Sequence, residues 1–298
     1  MPLTHYITCP SCHADRLQPV LSAVDQTVSH ETFSIWQCGN CGLRFTQDVP
    51  DAGSIGPYYQ SDNYISHSNT SKGLVNRLYH LVRKQTLSDK YRLIGSATRT
   101  RQGKLLDIGA GTGAFVGYMQ EKGWEVTGLE PDETARRVAL ADHRVELLEM
   151  DQLFDLPPDS FDAITLWHVL EHVHDLHPYL ERLKTLVRRS GRIFIAVPNY
   201  TCYDAEVYQA FWAAYDVPRH LYHFSPDAME SLLTQHGLQL QYSQPMWFDS
   251  IYISMLSEKY RGGGHGNNIK AVLTGLVSNM KAFIDKSRCS SLIYVISK

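Results

Sequence analysis

The sequence predicts an α/β protein: a doubly wound, mainly parallel sheet, with a small cysteine-rich ribbon ahead of it and a helical lid between them. Three observations predict it. From Lys104 onward, short apolar runs alternate with amphipathic segments, the pattern of a parallel sheet covered on both faces. The first of those runs breaks at three alternate glycines, Gly109, Gly111 and Gly113. Upstream, two Cys-x-x-Cys pairs, Cys9/Cys12 and Cys38/Cys41, have the spacing of a four-thiolate metal site.

Composition bounds the reading. A chain of 298 residues, 43% hydrophobic and 20% charged, can bury one large α/β domain with a small appendage. Its 28 basic and 31 acidic residues argue against a long nucleic-acid track, which needs clustered Lys and Arg. The first residues lack a basic-then-apolar signal pattern, and no apolar run reaches membrane-spanning length. The expectation is therefore a soluble, cytoplasmic protein with no membrane partner. In that setting six cysteines point to metal or buried thiols before disulfides, and Cys202 and Cys289 read as buried thiols.

Residues 1–50 form the expected ribbon. Each cysteine pair makes a tight knuckle, Gly39 and Gly42 permit the left-handed turns that knuckles need, and two knuckles close a tetrahedron. Four thiolates leave no open position, so structural zinc is the first reading; a redox pair or an iron site are the alternatives. Residues 51–100 read as a linker and helical lid. The tyrosine-rich loop around Tyr58, Tyr59 and Tyr64 either folds over a ligand or packs onto the domain. The helical spacing over 73–94 predicts one or two amphipathic helices whose cations, Lys90 among them, form a solvated face.

From residue 101 to 298 the main domain follows. Strands are expected over 105–108, 125–129, 145–148, 163–167 and 192–197, and helices over 113–122, 131–141 and 179–188. An aromatic-rich insertion occupies 199–225. Ser225-Pro226-Asp227 then caps a helix that Gly237 ends, and a helix over 269–284 precedes a closing strand.

The stretch from Lys104 to Phe115 organises the chemistry. A buried strand ends in a bend where a ligand meets no Cβ, and the following helix aims its N-terminus at the bend. Asp107 precedes the first glycine, where an acid repels a pyrophosphate and attracts an ammonium group. Glu130 ends the next strand, at the distance suited to ribose hydroxyls. A nucleoside with a cationic amine and no phosphate fits, and S-adenosylmethionine is such a ligand; an NAD-linked oxidoreductase is disfavoured by Asp107.

These residues, with 161–173 and 191–199 in order after them, resemble the class I S-adenosylmethionine-dependent methyltransferases. The resemblance implies a seven-stranded sheet with the last strand antiparallel. It places Asp107, Gly109, Gly111 and Gly113 at the methionine end of the cofactor and Glu130 at the ribose. Asp151 and Gln152 fall at the adenine, and Trp167 and His168 along the methionine moiety. The acceptor side falls to His172 as a base or as a hydrogen-bonded tie for its loop, with Glu171 holding the turn. His220, Tyr222 and His223 are further candidates for moving a hydroxyl proton. Arg219, Tyr64 and Trp212 are placed against the acceptor.

His168-Val169-Leu170-Glu171-His172 also reads as H-x-x-E-H, a metalloprotease signature, but it follows a strand and lies on no long helix. A related subgroup in quinone biosynthesis binds a metal in this turn with acids and a His, and His168 stands here where an acid is expected. Function is read as methyl transfer to a small-molecule acceptor, on O, N or C. An RNA-modifying enzyme gripping RNA through the ribbon is a second reading, against which stand only two strong bases, Arg16 and Arg44, in residues 8–46. A non-catalytic S-adenosylmethionine-binding protein is a third. Oligomeric state is left open.

Overall fold

A computed structural model of the chain describes residues 2–60 and 74–298, the side chains of 74–83 excepted. Tyr64 lies outside the described residues. The ribbon comprises β1 (Leu3–Thr4), β2 (Leu17–Val24), β3 (Thr32–Cys38), β4 (Arg44–Thr46) and β5 (Val49–Pro50). Strands β2, β3 and β4 pair antiparallel, and β1 pairs with β5. In β3 Phe33 and Ile35 are buried, as period-two patterning requires of a half-buried strand, and Cys38 is buried at its end.

A single helix α1 (Leu74–Thr98) leads into the main domain. There β6 (Lys104–Ile108), α2 (Ala114–Glu121), β7 (Glu125–Leu129), α3 (Glu133–His143), β8 (Phe161–Trp167), α4 (Leu176–Leu186) and β9 (Val187–Pro198) alternate as the sequence predicts. After α5 (Tyr203–Tyr208) and the two-residue β10 (Tyr222–His223) come α6 (Pro226–Gln235), β11 (Gln239–Pro245), α7 (Asp249–Arg261), α8 (Asn268–Ile284) and β12 (Ser291–Ser297). The sheet order is β11-β12-β9-β8-β6-β7, parallel except for β12, which runs against both neighbours. Every residue of β12 is buried, as befits a strand covered on both faces.

The caps are local and legible. Asp132 accepts from Ala135 N–H at the start of α3, Ser225 accepts from Ala228 N–H at the start of α6, and left-handed Gly237 closes α6. Three elements differ from expectation. The seventh strand, expected over 145–148, is reduced to one parallel bridge between Leu129 and Leu148, leaving six strands. Immediately after it, Glu149 and Gln152 form a capping box that turns the chain into a 3-10 turn (Met150–Phe154) before further pairing can form. Strand β11 and helix α7 had no sequence signal. The first is a largely exposed, polar edge strand, and the second buries mainly serines.

Strand β10 pairs with β4, Tyr222 opposite Phe45 and His223 opposite Arg44, so the insertion completes the ribbon's sheet. Where β3 ends and turns into β4, the four sulfurs converge. Cys9 and Cys41 Sγ lie 3.6 Å apart and Cys12 and Cys38 Sγ 3.5 Å, with all four within 4.8 Å of one another. A tetrahedron with Zn–S bonds of about 2.3 Å separates its sulfurs by about 3.8 Å, so the cluster fits zinc. The N–H groups of Ser11 and Asn40 point at Cys9 and Cys38 Sγ, which suits thiolates.

Because a thiolate cluster without its ion repels itself, metal affinity here is folding energy. Chelation, or Cys38→Ser, is expected to lower the melting temperature by roughly 5–10 °C. Scanning calorimetry checks it, and an unchanged melt after the metal is shown to be gone contradicts a structural ion.

Candidate active site

The site is built at the carboxyl end of β6. Gly109, Gly111 and Gly113 all adopt left-handed φ, at 71°, 55° and 76°. A Cβ on Gly109 would come within 2.5 Å of Val169 Cγ2 and one on Gly113 within 2.6 Å of Ala139 Cβ. Above Gly111 the space is open, so bare backbone faces the cleft.

Two carboxylates flank that bend. Asp107 is 1% exposed and accepts from Thr165 Oγ1 at 2.6 Å, and burial pushes its pKa up to about 7. Glu130 accepts from Gly111 N–H at 2.7 Å and Asp132 N–H at 3.0 Å, and it too is pushed up by burial. Each Glu130 oxygen keeps a further lone pair for a ligand hydroxyl. The cofactor side also has a cation that the sequence had assigned to a solvated face. Lys90 Nζ sits 3.9 Å from the Trp167 ring centroid and 5.5 Å from that of Phe115. Burial lowers its pKa to about 8, against the opposing pull of Asp107 and Asp249. The available signal was its register: Lys90 lies three residues after Leu87 and four before the buried Ile94, on the helix's inward stripe.

Trp167 meets Phe115 edge-on at 5.6 Å, and its buried Nε1 has no partner among the described residues. Asp151 and Gln152 are exposed on the 3-10 turn after Leu148, with Gln152 Oε1 accepting from Glu149 N–H. His168, at φ 58°, has both ring nitrogens engaged: Nδ1 with Glu171 at 3.3 Å and Nε2 with Asp249 at 3.2 Å. Burial disfavours its charge, but those two carboxylates prevail and push it up to about 10.

Opposite stands a histidine pair. His172 and His220 meet edge-to-face at 4.6 Å between centroids. His172 Nδ1 lies 2.9 Å from Arg219 O and 3.1 Å from Tyr59 Oη; His220 Nδ1 lies 2.8 Å from Ala214 O. A backbone carbonyl can only accept, so both rings carry a proton on Nδ1. Burial and the neighbouring His220 hold His172 down at about 4, neutral at physiological pH. Ligand atoms of Glu171, His172 and His220 lie within 4.8 Å of one another, and buried Glu171 Oε2 has no donor among the described residues. Three converging acceptors can receive a proton or hold a divalent cation.

The remaining acceptor-side residues are placed elsewhere. Arg219, expected to meet an anion on the acceptor, is 1% exposed and spent inside the protein. It donates to Asp216 through Nε and Nη2, to Asp25 through Nη2 at 3.0 Å, and to Tyr58 O through Nη1. Tyr222 donates to His174 O from the ribbon core, and His223 Nε2 lies 3.1 Å from Thr46 Oγ1, both in β10 and turned toward the ribbon. Trp212 is buried and donates Nε1–H to Asp204. Proton donors and bases in a β-strand neighbour carry no sign in sequence of which sheet they join.

A surface groove lined by Thr98, Lys104, Glu125, Asp162 and Arg188 lies at the opposite, amino ends of β6 and β7. Open α/β sheets hold ligands at the carboxyl ends, so the groove is no part of this site.

Comparison with known proteins shows the family of this domain. The profile of a methyltransferase-domain family matches residues 79–243. A ubiquinone biosynthesis O-methyltransferase of Aeromonas salmonicida is 38% identical over 104 residues, covering 32% of this chain and 43% of that protein. Its counterpart in Xanthomonas euvesicatoria is 28% identical over 175 residues, 54% of this chain and 70% of that protein. The chain thus spans less than half the length of the first of these relatives. Among solved structures, a protein assigned as a sarcosine dimethylglycine methyltransferase from Galdieria sulphuraria superposes with a TM-score of 0.51 at 15% identity, covering 82% of this chain and 90% of that one, a likeness of fold.

Arg219 also yields a test of the acceptor wall. Asp25 is fully buried; burial would raise its pKa, yet the Ser29 and Thr27 N–H groups and Arg219 hold it at about 2. Because that pKa is depressed, its stabilisation is complete above about pH 4 and is lost as pH falls toward 2. Arg219→Met leaves the acid uncompensated and is expected to cost about 3–5 kcal/mol at neutral pH. Urea unfolding checks it, and a change under about 1 kcal/mol would make the ion pair dispensable.

Proposed function

The chain belongs to the S-adenosylmethionine-dependent methyltransferases, and from that premise we propose that it methylates a hydroxyl on a small organic molecule, with His172 taking the proton. The observation that carries the reading is the neutral His172 ring. Its Nδ1–H is fixed on Arg219 O, and a ring nitrogen lies within 4.8 Å of a carboxylate oxygen of buried Glu171. The names of the curated relatives support an oxygen acceptor.

The cleft fits the cofactor on its own terms: an acid in a dry site, open backbone over Gly111 and a Trp167 N–H without a partner among the described residues. When bound, S-adenosylmethionine supplies a methyl group made electrophilic by its sulfonium. Asp107 would hold the ammonium of the methionine end, Lys90 its carboxylate, and Glu130 the ribose hydroxyls. The Trp167 face already holds a cation at 3.9 Å and suits a sulfonium neighbour.

Positioning of donor and acceptor in line supplies most of the acceleration. As the acceptor oxygen bonds to carbon its hydroxyl becomes strongly acidic, so even a weakly basic imidazole can remove the proton. The proton passes to His172 Nε2, and the resulting imidazolium is met by the Glu171 carboxylate. A second reading, a divalent ion held by Glu171, His172 and His220, is favoured by the donorless Glu171 Oε2. In it the ion would carry the acceptor oxygen.

His172→Gln is expected to lower kcat by about 10²–10⁴ while leaving S-adenosylmethionine affinity within about twofold. The assay is S-adenosylhomocysteine release with a panel of hydroxylated small molecules, run beside total RNA and after chelation. Undiminished turnover in the variant contradicts a base at His172, turnover confined to RNA contradicts the acceptor class, and loss restored by metal alone favours the second reading.

A further inference from the structure

The C-terminal hairpin of α7 and α8 wears its large apolar side chains on the outside. On α8, Ile269, Leu273, Leu276, Met280, Phe283 and Ile284 form one stripe at helical spacing, with Ile269 76%, Phe283 82% and Ile284 88% exposed. The opposite face, packed on α5 and α7, consists of Ala271, Thr274, Gly275, Ser278 and Ala282. Small residues are required there, since a Cβ on Gly275 would lie 2.7 Å from Ile251 Cα, and Ser278 donates to buried Asp204. Thus α8 is amphipathic in the inverted sense: it docks by its small side and offers its large one. Trp247, Phe248, Tyr252 and Met255 extend the exposed surface along α7. A continuous patch of this kind marks an interaction site.

Charge decides the occupant. Residues 247–288 contain Lys259, Arg261, Lys270, Lys281, Lys286 and Arg288 against three acids, Asp249, Glu258 and Asp285, in a chain that elsewhere has an excess of acids. Arg261 and Lys270 share Glu258, Arg288 pairs with Glu206, and Lys281 lies over Tyr203, while Lys259 and Lys286 are exposed. A second copy placed face to face would oppose these cations to themselves. An anionic lipid surface would complement them while taking up the apolar stripe and its aromatic flank.

We propose that α8 is an interfacial helix that lies on membranes carrying anionic headgroups. No helix among the described residues is long and apolar enough to cross a bilayer, so the contact is in plane. The inference replaces the sequence expectation of no membrane partner and stands independently of the methylation chemistry, although Asp249 at the start of α7 also reaches His168 in the cleft.

The test is cosedimentation of the full chain with phosphatidylcholine vesicles, with and without phosphatidylglycerol, and sedimentation velocity without lipid. Binding is expected only with phosphatidylglycerol and should weaken with salt. Leu273→Glu with Phe283→Glu, and separately Lys259→Glu with Lys286→Glu, should each lower it about tenfold or more, with melting unchanged because all four side chains are exposed. Equal pelleting with neutral and anionic vesicles, or none with either, overturns the proposal. So does a lipid-free dimer that Leu273→Glu with Phe283→Glu dissociates.

Discussion

A carboxylate held out of water at the end of a central strand has to be answered by positive charge, and the cofactor half of this protein is arranged around that need. Asp107 has one hydrogen bond from Thr165 and the nearby field of Lys90. Neither is enough to keep its pKa in the ordinary carboxylate range, so it rests close to neutrality. The left-handed glycines that follow directly make a bend without side chains and leave bare backbone beside it. A pyrophosphate over the bend would meet the charge of Asp107, and that repulsion separates this cleft from a dinucleotide site with the same glycine spacing, whereas an acid at the Glu130 position is common to both.

The acceptor half depends on a different buried charge. Arg219 joins Asp25 in the ribbon to Asp216 in the insertion, and its carbonyl fixes the His172 tautomer. One turn further, Leu221 N–H donates to Glu171 O and Thr46 donates to His220 O. Ribbon, insertion and the turn after β8 therefore form one hydrogen-bonded unit. A cysteine-rich ribbon far from the cleft in sequence thus helps to hold the His172 imidazole.

Much of this was legible in the residues. The alternation of strands and helices, the glycine bend, the two acids and the thiolate cluster each follow from local pattern, and each stands where that pattern puts it. What sequence left out involves long-range pairing. Nothing in Tyr222 or His223 announces that their two-residue strand adds to the ribbon's sheet, which turns both away from the acceptor. Arg219 looked like an anion receptor because its partners, Asp25 and Asp216, come from separate segments. Lys90 was hidden among neighbouring surface cations, although its register with Ile94 pointed inward. The weak seventh strand failed because a capping box overrode the apolar run before it.

The central claim is tested most directly by calorimetric titration of S-adenosylmethionine across neutral pH, in buffers of differing ionisation enthalpy. Since the free protein holds Asp107 partly protonated near pH 7, binding should release a proton, and affinity should climb by up to about tenfold per pH unit below that value, then level off. Asp107→Asn should bind weakly and with no proton release. Equal affinity at acidic and neutral pH, or an Asn variant that binds like the parent, would contradict an acid kept near neutrality for the incoming cation.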